Sequence, residues 1–330
     1  MQALSNGSST TRSPRARGAS GADLETVLKV GINLLNFGPG AHPENFSEWA
    51  RTTESLGYHF LGVSDHVALT KDVYSQYPAP FYDPFTLLAW LSGITTRIEL
   101  ATTVAILPYR SPLHLARVGA NLDRLSGGRF ILGVGVGWAR EEFEVLGIPF
   151  EKRGAIADEY LEALLELWTK DEASYQGRFV RFENVQTGPR PLTAPHPPIW
   201  VGGSSDAAIR RAARYGDAWH PIRIRVPWLE EKASELAEVA QSMGRAAPRL
   251  CPRIQLRLTE RPEGDSRLAG EGTLEQIHAD FAALEKLGCP YVLLDFFTGD
   301  VEATRNAEPY FRIMGTLKER VLDLPRQTLR

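Results

Sequence analysis

Eight short apolar runs alternate with longer helix-patterned stretches along this chain, and no other feature constrains the fold as much. The runs are VGINLL (30–35), HFLGVS (59–64), IELATTVAI (98–106), RFILGVG (129–135), PIWVGG (198–203), GDAWHP (216–221), RIQLRL (253–258) and YVLLDF (291–296). Between them lie segments such as PENFSEWARTTESLG, SPLHLARVGANLDRLSGG and TLEQIHADFAALEKLG, whose apolar residues recur at helical spacing. Strands joined by helical crossovers make a parallel sheet, and eight is the number that closes a (β/α)8 TIM barrel. An open, doubly wound sheet is the alternative. Ser205 or Asp206 is placed to cap one helix, and Gly57, Gly216 and Gly288 stand where C-terminal glycines belong.

One segment breaks the rhythm. Residues 174–198, SYQGRFVRFENVQTGPRPLTAPHPP, form an insertion between strands 4 and 5, with a small hairpin turning at Gln176-Gly177. The expected organisation is a disordered N-terminal tail over 1–25 and one barrel domain over 26–330. The tail has three arginines, five serines and no acid in its first 20 residues, and it lacks the apolar segment of a secretory signal. The whole chain is balanced, with a formal charge of −3 over 330 residues, so neither a nucleic-acid nor a membrane-surface partner is expected. No apolar run approaches the roughly 20 residues that span a bilayer. Cys251 and Cys289 are expected to be buried and reduced, in a cytoplasmic protein.

In a TIM barrel the C-terminal ends of the strands carry the chemistry. Strand 4 ends in GVGVGW (133–138). A dinucleotide fingerprint needs a third glycine where Trp138 stands, so that reading fails on spacing. Two readings stay open: glycines 133, 135 and 137 thin the wall for a planar ring, or they make a tight turn. Strand 5 ends in Gly202-Gly203-Ser204-Ser205 and runs straight into a helix. Amides and hydroxyls at a helix start bind phosphate, and a plain cap would not need the two glycines. Strand 2 ends in Asp65-His66, the best acid–base candidate, and Asp65 could instead hold a ring N–H of a cofactor. The remaining histidines are scattered and no Cys-x-x-Cys exists, so no metal site is expected.

These strand ends, in this order, resemble the luciferase-like flavin and deazaflavin enzymes. The resemblance is carried by GVSDHV (62–67), by residues 98–143 and by PIWVGGSSDAAIRRAARYGDAWHP (198–221). It covers most of residues 28–221. It implies a barrel holding a ring cofactor at its mouth, with the phosphate on Gly202, Gly203, Ser204 and Ser205. It implies a strand bulge with a cis peptide at Thr103–Val104 behind the ring, and Gly135 at the ring's edge. The Ser-Asp-His pattern resembles the branch using coenzyme F-420, in which His66 would give or take the proton of a hydride transfer to a small organic substrate. Trp138 stands where sugar-phosphate dehydrogenases of that branch carry a glutamate, and implies an apolar or aromatic substrate wall. An FMN-dependent monooxygenase fed by a partner reductase is the second expectation, and a non-catalytic flavin-binding relative the third. Family members commonly pair, so a homodimer is expected. The loop over 68–83 is read as a lid or as a dimer contact.

Overall fold

The computed structural model describes residues 27–330. The expected tail over 1–25 lies outside the described residues. All eight expected strands are present: β1 (Lys29–Leu34), β2 (Phe60–Val63), β3 (Glu99–Thr102), β4 (Phe130–Gly135), β5 (Ile199–Gly202), β6 (Ala218–His220), β7 (Arg253–Gln255) and β8 (Tyr291–Asp295). They pair in parallel in the order β6-β5-β4-β3-β2-β1-β8-β7. The seam between β6 and β7 is closed by the run leading into β7. Arg249 pairs with Ala218, the Cys251 amide donates to Trp219 O (2.8 Å), and the Arg253 amide donates to Pro221 O (2.8 Å). The sheet therefore curls into a TIM barrel.

Two expected strands are interrupted. The run over 98–106 splits at Thr103-Val104, and its outer part, Ala105–Ile106, pairs with Val134 and Gly135. The run over 253–258 splits after Gln255, and Arg257–Leu258 leaves the barrel to pair with Glu271–Gly272. The insertion between β4 and β5 holds the expected hairpin, Glu172–Gln176 against Arg181–Gln186. Glu159 anchors its turn by accepting the amides of Arg178, Phe179 and Val180. Of the three expected helix-ending glycines, Gly57 and Gly288 are left-handed (φ 95 and 73). Gly216 is extended instead, and is a glycine for want of space: a Cβ there would lie 2.9 Å from Ala212 O.

The helices that matter to the mouth are α1 (Pro43–Leu56), α2 (Lys71–Tyr74), α3 (Pro84–Ser92), α4 (Pro112–Leu125), α5 (Arg140–Val145), α6 (Arg153–Thr169) and α7 (Asp206–Tyr215). Their apolar stripes cover the outside of the barrel. Among the described residues no helix is long and apolar enough to cross a membrane. The barrel has its own interior core. Phe60, Ala101, Ile131, Trp200, Ala218, Cys251 and Leu293 point inward from successive strands, each at most 3% exposed. On β1 the matching position is Gly31, where a Cβ would come within 2.3 Å of the Phe60 ring. One glycine thus makes room for the ring that plugs the barrel.

Candidate active site

Side chains two residues apart on a strand share a face. Stepping two residues outward from the plug gives the next interior layer: Asn33, Gly62, Thr103, Gly133, Gly202, His220, Arg253 and Asp295. Apolar side chains have given way to glycines and polar groups, and the polar ones bond across the mouth. Arg253 donates through Nη2 (2.6 Å) and Nε (3.0 Å) to Asp295 Oδ2, while Asn33 Nδ2 donates to Asp295 Oδ1 (3.0 Å). Arg253 Nη1 also donates to the Thr103 carbonyl (2.9 Å). The Thr103–Val104 peptide is cis, as the resemblance implied.

His220 is fully buried, and burial pushes its pKa down to about 4, against the opposing bond to the Cys251 carbonyl. A neutral ring donates through Nδ1 to that carbonyl. Its Nε2 then accepts from the Thr103 hydroxyl (2.8 Å). Arg253, Asp295 and His220 are site residues that the sequence reading passed over.

Above this layer lies a cavity of 530 Å³, within the usual range for a cofactor site. His66 and Trp138 line it toward α5, Gly202, Gly203 and Ser205 toward α7, and Thr103, Val104 and Gly135 between them. Ser204 is not among its lining residues. The glycines of strand 4 are explained by crowding. A Cβ on Gly133 would meet the Thr102 carbonyl at 2.0 Å, and one on Gly135 would meet Val104 Cγ2 at 2.6 Å. Gly202 is pressed by Val104 too, at 3.0 Å. These glycines make room for the strand 3 bulge, and Gly137 alone makes a turn (φ 80). Val104, seated between Gly135 and Gly202, reaches the cavity because both lack side chains.

His66 is held by a residue that the sequence reading missed. Its Nδ1 lies 2.7 Å from Glu142 Oε2. Glu142 is fully buried and also accepts from the Val67 amide (2.6 Å), the Ala68 amide (2.9 Å) and the Tyr109 hydroxyl (2.9 Å). Burial pushes the Glu142 carboxyl up, but the His66 ring and the two amides outweigh it and hold it below its ordinary value. An ionised carboxylate only accepts, so His66 Nδ1 carries a proton and Nε2 is left for the cavity. Tyr77 stacks on the imidazole (5.7 Å, 26°), while Phe81 and Trp138 meet it edge-on. Tyr77 and Phe81 of the loop over 68–83 thus line the cavity beside His66.

The signal for Glu142 was available. Ala139, Glu142 and Phe143 share one helical face and are all buried, so a carboxylate stood on an apolar stripe. Asp65 lines the cavity too, with its carboxylate paired within the protein. Its carboxylate is fully buried, chelated by Arg110 and bonded by the Ile106 amide (2.8 Å). Burial pushes that carboxyl up, against the pull of the guanidinium.

At the far end Ser205 caps α7 by accepting from the Ala208 amide (3.3 Å). Two arginines reach the same end. Arg211 bonds Asp158 (2.6 Å) and Gly154 O (3.1 Å), and its side chain is buried at the cavity wall. Arg153 stacks on Phe150 (3.8 Å), and its buried Nε has no acceptor among the described residues. A missing acceptor beside a glycine-rich helix start fits an anion, and the bulge and flat glycine walls fit a ring. Val104 would back the ring, and Gly202, Gly203, Ser205, Arg153 and Arg211 would hold the anionic tail.

A model of the family described as luciferase-like monooxygenase matches residues 28–277. An uncharacterized Mycobacterium tuberculosis protein is 36% identical over 183 residues, covering 52% of this chain and 64% of that protein. The FMNH(2)-dependent dimethylsulfone monooxygenase of Pseudomonas putida is 34% identical over 168 residues, covering 50% of this chain and 46% of that enzyme. The chain thus spans about half to two thirds of the length of these curated relatives. A solved F420-dependent secondary alcohol dehydrogenase, in complex with an F420-acetone adduct, shares the fold at 16% identity. Its TM-score is 0.68, over 84% of this chain and 96% of that one.

Proposed function

We propose that this chain, which belongs to the luciferase-like monooxygenase family, transfers hydride between coenzyme F-420 and a small organic substrate. The observation that carries the reading is His66, fixed through Nδ1 on an ionised Glu142 with Nε2 left for the cavity. Hydride transfer to a carbonyl or imine leaves a negative heteroatom that needs a proton, and the reverse reaction must remove one. His66 Nε2 is the group in this cavity equipped to do either. Glu142 acts through it, as a positioning residue that holds the tautomer and stabilises the imidazolium. Bound along the groove, the deazaflavin would supply the carbon that carries the hydride. Trp138, Tyr77 and Phe81 exclude water from the imidazole and shape the substrate side.

A second reading is an FMN-dependent monooxygenase supplied with reduced flavin by a reductase. It is favoured by the 34% identity to an enzyme named as FMNH(2)-dependent. Titration of the purified protein with F-420 and with FMN, each oxidised and reduced, separates the two. Micromolar affinity for F-420 supports the first, and binding of FMN alone reverses the order. Replacing the histidine, His66→Ala, should lower turnover about 100-fold or more and change cofactor affinity by less than roughly threefold. The opposite pattern would make His66 a cofactor contact.

A further inference from the structure

A second cavity, of 230 Å³, adjoins the first across Tyr77, Trp138 and Arg253. Its wall is aromatic: Phe37 packs edge-on against Tyr77 (5.0 Å) and Phe297 (4.9 Å). Its floor holds Arg253 and Asp295, which neutralise each other. That leaves Arg223, which lines the cavity and has no ion-pair or hydrogen-bond partner among the described residues. Arg223 also sits in the left-handed region, with φ 51. Its side chain is exposed at the rim of the cavity, and the unusual backbone conformation has a backbone cause. The backbone is pinned on both sides: Pro221 O accepts the Arg253 amide (2.8 Å) and Ile224 O accepts the Ala269 amide (2.9 Å).

We propose that this second cavity is the substrate subsite, and that it takes a flat aromatic or conjugated molecule bearing one carboxylate, which Arg223 pairs. The proposal rests on the oxidoreductase reading for its meaning, because the subsite opens onto the same wall as His66. The aromatic rings would sandwich the body of the molecule. The neutralised floor would neither attract nor repel it. Arg223, at the outer edge, would set which end faces the cofactor.

The test uses 2-naphthoate and its uncharged counterpart 2-naphthamide, titrated calorimetrically into the full chain with and without bound cofactor. Naphthoate should bind at least about tenfold tighter than the amide. Arg223→Gln should abolish that preference and leave cofactor affinity unchanged. Arg223→Gly, which suits the left-handed backbone, should fold at least as well and lose the preference equally. Equal binding of acid and amide, or no binding of either, overturns the proposal. So does a preference that survives in both variants, or a loss of cofactor affinity that would assign Arg223 to the cofactor tail. Cofactor binding without acid preference sinks the subsite alone. Acid preference without cofactor binding sinks the oxidoreductase reading and leaves the subsite standing.

Discussion

Glu142 gathers four donors around one buried carboxylate, and the proposed acid–base role of His66 depends on it. Glu142→Gln keeps the shape but puts an amide against donors that need an acceptor. Turnover should fall about 100-fold, because the imidazole loses the partner that fixes its tautomer. The same change should cost about 3 kcal/mol of stability at pH 7. Its pH dependence has a definite sign. The folded Glu142 pKa lies below the ordinary 4.5, so its contribution is complete above that value and is lost as pH falls through the folded value. Urea unfolding of both proteins from pH 7 down to pH 3 should show the gap closing only at the acid end. A gap independent of pH would mean that the carboxylate's charge contributes nothing.

At the scale of elements, α7 separates a helix cap from a binding loop. Asp caps a helix as well as Ser does, so Ser205→Asp should leave the unfolding midpoint unchanged. It also brings a negative charge to the end proposed to hold the anion, and cofactor affinity should fall about tenfold. Unaltered affinity would remove this helix start from the site. The eight strands and the hairpin were legible because short apolar runs and turn residues are local signals. The bulge at Thr103-Val104 was legible only through family resemblance, since nothing local in IELATTVAI marks a break. Arg253, Asp295 and Glu142 were obscured because their partners lie 33 to 262 residues away in sequence. His220 was one of several scattered histidines, and its partners Thr103 and Cys251 are distant in sequence. Asp65 and His66 are neighbours in sequence, yet their side chains bond to different partners, Arg110 and Glu142.

At the scale of the whole molecule the barrel is a plug of apolar residues beneath a polar mouth, and Gly31 tests how tightly the plug is fitted. Gly31→Ala places a methyl against the Phe60 ring, and overpacking of this kind costs about 1–3 kcal/mol. Adding Phe60→Leu to it should recover part of the loss, since the two sites share one space. Chemical denaturation of the single and double variants measures this, and strictly additive losses would show that the ring moves aside freely. The plug lies directly beneath the mouth: its residues sit two positions before Thr103, His220, Arg253 and Asp295 along the chain.

The His66–Glu142 pair is assembled from two different connections, His66 from the one after β2 and Glu142 from the one after β4, on α5. Those connections cannot be exchanged independently. Transplanting the β4 loop from another barrel to change what this protein accepts would carry away the group that aims its imidazole. New specificity grafted in that way would arrive with a disarmed centre, unless the donor loop brought its own acid to the same spot.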